Sequence, residues 1–216
     1  MQPILIILLA TSAGVPLALG LRRSLATLGY RNPDEIDLPD PGPRWWVVWT
    51  SVVAIGCLAT GAVMSHNTLA HLPLIPLAVT GPWLAAVDFD VLRLPDRVLL
   101  PTATVTLLAV AGIAAAQHRW SALVLPVAAA LTTGALLATV HFVSKGGIGF
   151  GDVKLAAVVA LAVVPLGVGL VWLGVLSGSI AALVWSTGAR RVGPIPYGPW
   201  LLSGSWFAVI VSAFPR

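Results

Sequence analysis

The sequence predicts an all-α fold: a polytopic membrane bundle of about eight transmembrane helices, forming a single domain over residues 1–216. Two observations carry most of that reading. Of 216 residues, 58% are hydrophobic and only 9% are charged, with a mean hydropathy of +0.95. So few charges cannot cover the outside of a water-soluble domain of this length. The apolar residues also fall into successive runs close to the 20 or so that a helix needs to cross a bilayer.

Each run has its own punctuation. Helix 1 is expected over about 3–20, with Pro16 as a kink, until Arg22 and Arg23 end the apolar run. It lacks the basic start of a signal peptide and reads as a retained helix. Residues 21–44 form the long polar segment, where Pro33, Pro39, Pro41 and Pro43 forbid a helix. Its acids, Asp34, Glu35, Asp37 and Asp40, read as solvated charges. Helix 2 runs from about Trp45 to Met64, opened by the interfacial belt of Trp45, Trp46 and Trp49. Helix 3 is expected over 69–87, helix 4 over 98–116 and helix 5 over 120–143. Helix 6 starts near Asp152 and reaches about Gly169, helix 7 covers 170–188 and helix 8 covers 199–214. Pro165, Gly167 and Gly169 are the only marks of a break between helices 6 and 7.

The positive charges sort by side. If helix 1 enters from outside, Arg22, Arg23, Arg31, Arg44, Arg93, Arg97, Lys145, Lys154, Arg190 and Arg191 share one side. Only Arg119 and Arg216 fall on the other. That bias places the inner (plasma) membrane loops in the cytoplasm and supports the count of eight. The net charge of +4 is scattered, and no basic face for nucleic acid can be drawn. Cys57, the single cysteine, excludes an internal disulfide and a multi-cysteine zinc site. His66 and His71, five apart, share no helical face and read as loop-end or packing residues rather than metal ligands.

Outside the 34–40 loop, every acid lies in two stretches: Asp88, Asp90 and Asp96 in one, Asp152 in the other. Carboxylates at membrane depth are costly and point to function. The topology brings Asp88, Asp96 and Asp152 to the cytoplasmic ends of their helices. Two carboxyls within hydrogen-bond reach share a proton, so one acts as base on a water while the other donates to a carbonyl. That is peptide hydrolysis by an aspartic mechanism, with no metal, cofactor or covalent intermediate. Gly146, Gly147, Gly149 and Gly151 leave backbone uncovered, against which an unwound substrate can pair as an added strand. Lys154 is a candidate for binding substrate, for favouring an ionised Asp152 or for snorkelling. Asp152 and Asp96 also suit helix N-termini. Asp88 ends a helix, where a negative charge meets the wrong end of the dipole, so the bland reading fails there.

The same residues resemble a known family. Asp88-Phe-Asp90 through Leu94-Pro95-Asp96, then Gly149-Phe-Gly151-Asp152-Val-Lys154, are similar to the two signatures of type IV prepilin peptidases, membrane aspartic proteases of the GxGD class. Ile195-Pro-Tyr-Gly198-Pro199 resembles the proline-glycine segment those enzymes carry before their last helix. The resemblance implies catalysis by Asp88 and Asp152. It also implies cleavage of the basic leader from prepilins or pseudopilins at the cytoplasmic face, before an apolar helix. Long forms carry a cytoplasmic insertion with paired CxxC motifs for zinc and also methylate the new N-terminus. Here only the cysteine-free 21–44 loop stands in that place, so a peptidase without methylation is expected. A proton- or cation-coupled transporter using the same acids is the alternative. It would be built from matching, interrupted halves, and no half-to-half similarity is present. A non-enzymatic assembly subunit would leave the clustering of the acids without a cause.

Overall fold

Apolar runs of these lengths have one way to satisfy their backbones in lipid, which is to coil into helices. The computed structural model describes residues 2–65, 67–145, 147–188 and 195–214, and among them no strand occurs. The helices are α1 (Gln2–Ala26), α2 (Trp45–Met64), α3 (Thr68–His71), α4 (Ile75–Val91), α5 (Asp96–Ala116), α6 (Val124–Val143), α7 (Phe150–Val163), α8 (Val168–Gly188) and α9 (Gly198–Ser212). Six segments are long and apolar enough to cross a membrane: 2–26, 45–64, 68–91, 96–116, 120–143 and 168–188. The eight expected runs are all helical. His66, Gly146, Arg190, Arg191 and Arg216, which entered the readings above, lie outside the described residues.

Several boundaries differ from the sequence expectation, each for a local reason. α1 continues past Arg22 and Arg23 to Ala26. The Arg22 guanidinium lies 3.8 Å from the centre of the Trp45 ring and its Nε donates to the Pro43 carbonyl, so the charge leaves the apolar zone without ending the helix. The third run is divided by its prolines into α3, a 3-10 turn over Leu72–Leu74, and α4. Pro76 sits in the first turn of α4, where its missing N–H costs nothing. α4 then carries on beyond residue 87, so Asp88 and Asp90 belong to its last turn. The break after helix 6 lies at 164–167: a 3-10 turn over Val164–Leu166, then Gly167 at φ 148°, a conformation closed to side-chain-bearing residues. His71 is buried with Nδ1 2.9 Å from the Asn67 carbonyl, which agrees with a packing role.

α7 is the centre. It is apolar all round, and ten of its 14 residues are buried, as a helix enclosed by others must be. α5, α6, α8 and α9 pack around it, while α2 and α4 pack on α9. The closest helix pair is α8 with α9. A Cβ on Gly204 would stand 2.1 Å from the Gly174 carbonyl oxygen, and one on Gly178 would stand 2.5 Å from that of Trp200. Small residues four apart let two membrane helices touch backbone to backbone. This contact sets the position of α9 and hence of its first residue, Gly198.

Asn67, Gln117, Arg119 and Pro165 line one cavity, and Asp88, Arg93, Asp96, Asp152 and Lys154 line another. Gly204→Ala should destabilise the fold by about 1–3 kcal/mol through overpacking, read as a lower unfolding midpoint in detergent. Gly112→Ala, where an added Cβ meets nothing within 4 Å, should leave that midpoint unchanged.

Candidate active site

Three helices deliver the parts. α4 ends when Leu92 takes a left-handed conformation, φ 53°, and its N–H closes on the Asp88 carbonyl. Asp88 is thereby held in the final turn, facing inward, with 3% of its surface exposed. α7 begins at Phe150 after Gly149, which places Asp152 in the first turn, 5% exposed. α9 begins at Gly198, whose backbone N–H donates to Asp88 Oδ2 at 3.0 Å.

Gly198 is where the two acids meet. A Cβ at that position would lie 3.0 Å from Asp88 Oδ2 and 3.3 Å from Asp152 Oδ1. Both carboxyls therefore flank one methyl-sized point beside a backbone donor. Asp152 Oδ1 is buried with no hydrogen-bond partner among the described residues. Leaving a buried acceptor open is costly unless something else uses it. Two buried carboxyls with one open oxygen between them suit the sharing of a proton and the activation of a water.

The pair opens into a cavity of about 300 Å³ lined by residues from both acidic stretches, including Gly149, Gly151 and Lys154. Gly151 is needed for close approach: a Cβ there would stand 3.0 Å from Leu94 Cβ and 3.2 Å from Leu94 N. The two stretches thus touch directly. Lys154 reaches across the same seam, its Nζ 2.7 and 2.8 Å from the two oxygens of Asp96. Its charge is committed to that partner, and Asp96 is held by this ion pair as well as by the start of α5. Asp88, Asp152, Gly149, Gly151 and Lys154, the site residues expected from sequence, are all brought together here.

Two features escaped the sequence reading. Gly198 was legible as part of a proline-glycine segment, but its hydrogen bond to Asp88 was not. The second is a lock on the end of α4. Asp90, two residues from Asp88, accepts from Arg31 Nε and Nη2, both at 2.9 Å, and from the Tyr30 hydroxyl, with Arg44 Nη2 at 3.1 Å. Arg93 donates to both oxygens of Glu35 at 2.6 Å and to the Tyr30 carbonyl. Glu35 is therefore not a free solvated charge, and the Arg93 guanidinium holds its carboxyl below the usual range despite an opposing effect of burial. No local feature of the sequence pairs Tyr30 and Arg31 with Asp90, or Glu35 with Arg93, which lie 58 to 60 positions apart along the chain. Among the described residues, no group of three or more His, Cys, Asp or Glu is placed to hold a metal.

The model of the type IV leader peptidase family matches residues 74–187, just over half of the chain. That span holds both acids and stops short of Gly198. No curated protein and no solved structure matches.

The Asp90 lock is buried on both sides, with side chains of Arg31 and Asp90 only 3% and 7% exposed. Asp90→Ala should cost about 3–5 kcal/mol by stranding two buried guanidinium groups. Thermal or urea unfolding in detergent checks it; a loss under about 1 kcal/mol, the range of surface pairs, would show the lock to be energetically idle. Acid should weaken the Glu35–Arg93 pair late. Its stabilising contribution is present above the ordinary glutamate pKa and is lost only as pH falls through the lowered one. Glu35→Gln should therefore reduce stability at neutral pH and leave it unchanged well below that range, as paired unfolding curves at the two pH values would reveal.

Proposed function

Because the chain belongs to the type IV leader peptidase family, we propose that it cleaves the leader from prepilins or pseudopilins by an aspartic mechanism in which Asp88 and Asp152 share one water. The observation that carries this reading is the convergence of both carboxyls on one point beside the Gly198 N–H. The scissile carbonyl carbon sits over the water. The ionised carboxyl removes a proton from that water as its oxygen attacks, and the protonated carboxyl donates to the carbonyl oxygen. The gem-diol then collapses: the C–N bond breaks as the departing amine takes a proton from the carboxyl that accepted one, and a gem-diol hydroxyl returns its proton to the carboxyl that donated one. No covalent enzyme intermediate forms.

The substrate bond is presented from the cytoplasm, at the inner end of the bundle. The bias of positive charge toward the Asp88 and Asp152 side supports that orientation. An extended leader segment enters the cavity beside Gly149, which is exposed and precedes α7, while Gly151 is spent on the contact with Leu94. The chain acts as a peptidase alone, without methylating the new N-terminus. The cysteine-free segment of residues 27–44 supports this: Arg31, Arg44 and Glu35 tie it down against α4 and Arg93, where long forms carry their insertion.

Asp88→Asn and Asp152→Asn, each alone, should lower prepilin cleavage by about 100-fold or more, followed by gel shift at equal protein level. A variant that still cleaves at the wild-type rate would falsify the assignment. Purified protein given prepilin and labelled S-adenosylmethionine should release leader and transfer no methyl group; label on the mature N-terminus would show a second activity.

A further inference from the structure

Two different spaces lie next to the pair. On one side is the cavity already described, between the starts of α5 and α7. On the other, α2, α4 and α9 enclose an apolar groove of about 520 Å³. Phe89, the residue after Asp88, lines this groove, and so do Pro199 and Trp200, which directly follow Gly198. The groove therefore begins one residue beyond Asp88 on α4 and one residue beyond its backbone donor Gly198 on α9. It runs along α9 from Pro199 to Ile210 and along α2 from Trp46 to Cys57. Eleven residues of helix are about 16 Å long, enough for some three turns of a guest helix.

The groove head is aromatic and shaped. Trp46 meets Phe89 edge-on at 5.6 Å between ring centres, and Phe89 meets Trp200 at 6.4 Å. Trp200 Nε1 is buried without a hydrogen-bond partner among the described residues. A hydrocarbon chain offers that N–H nothing, whereas a peptide whose helix is unwound next to the cleaved bond carries spare carbonyls. A stretched start followed by an apolar helix fits all three features: proximity to the pair, an unmatched donor at the head, and an apolar trough below.

We infer that the α2–α4–α9 groove is the docking surface for the substrate's own membrane helix, with its first turn unwound against Trp200. This inference rests on the peptidase reading and adds the face on which the substrate sits. The leader occupies the cavity on the α5–α7 side, the bond crosses the carboxyl pair, and the apolar helix descends between α2 and α9. The substrate is thus a chain that already spans the bilayer, entering sideways from the lipid.

Cys57, the chain's single cysteine, is half-buried in the groove wall and is a native probe. In vesicles, cleavage of prepilin by the wild-type protein tests the peptidase reading by itself, and its absence would overturn that reading and the groove together. The Asp152→Asn protein is then mixed with prepilins carrying single cysteines along the apolar helix and oxidised. Disulfides to Cys57 are expected at every third or fourth substrate position, lost with Cys57→Ser and suppressed by excess cysteine-free prepilin. If Cys57 captures nothing while Leu108→Cys or Leu131→Cys, on the exposed face of α5 and α6, captures substrate in the Cys57→Ser background, the groove assignment fails and the peptidase stands. In the same vesicles, Ser203→Trp, filling the groove from an exposed position on α9, should raise KM for prepilin several-fold. Val105→Trp, on the exposed face of α5, should behave as wild type. Equal KM for the Ser203 and Val105 variants would mean that lipid, not substrate, occupies the groove.

Discussion

Two buried carboxyl groups facing one point beside a backbone N–H are the constraint on which the rest of this bundle depends. Neither Asp88 nor Asp152 has an ion-pair partner of its own among the described residues, while Asp90, Asp96 and Glu35 all do. Burial without compensation is expensive for a carboxyl and persists only where surrounding packing enforces it. Here the enforcement comes from three directions at once. α4 is pinned by the arginine lock at Asp90, α7 is enclosed by its neighbours, and α9 is seated by glycine contacts with α8.

The division of labour among the acids follows from their neighbours. Asp88, Asp90, Asp96 and Asp152 lie close together at one end of the bundle. Asp96 sits half-exposed against Lys154, an arrangement that joins the two acidic stretches but contributes little energy. Asp90 is sunk in guanidinium groups, where its charge is fully employed in holding residues 27–44 against the end of α4. Asp88 and Asp152 are buried without an ion-pair partner among the described residues, which suits the proton-sharing role proposed for them.

The short segment between α1 and α2 gains a role from this arrangement. Tyr30, Arg31, Glu35 and Arg44 make a strap over the inner end of α4. Arg44 takes a left-handed backbone, φ 45°, at the entry to α2, so the strap is held under strain at its exit. Asp34, Asp37 and Asp40 are exposed as the sequence suggests, while Glu35, with Tyr30, Arg31 and Arg44, fastens the helix end that bears Asp88.

Much of this protein was legible without coordinates. Apolar run lengths and proline positions determined the eight helical segments, because backbone groups in lipid must pair within their own helix. The sorting of arginines predicted which loops share an end, and the motifs around Asp88 and Asp152 singled out the two acids and the two glycines beside them. Tertiary structure decided what depends on packing between distant segments. Examples are the touch of Gly151 on Leu94, the capture of Lys154 by Asp96, the fastening of Asp90 by Arg31, and the placement of Gly198 against both carboxyls. None of these has a local signal, since each joins residues dozens of positions apart whose side chains would read the same in any other arrangement. The extension of α4 through Asp88 was likewise a tertiary outcome: the lock at Asp90 stabilises a final helical turn that local propensity left open.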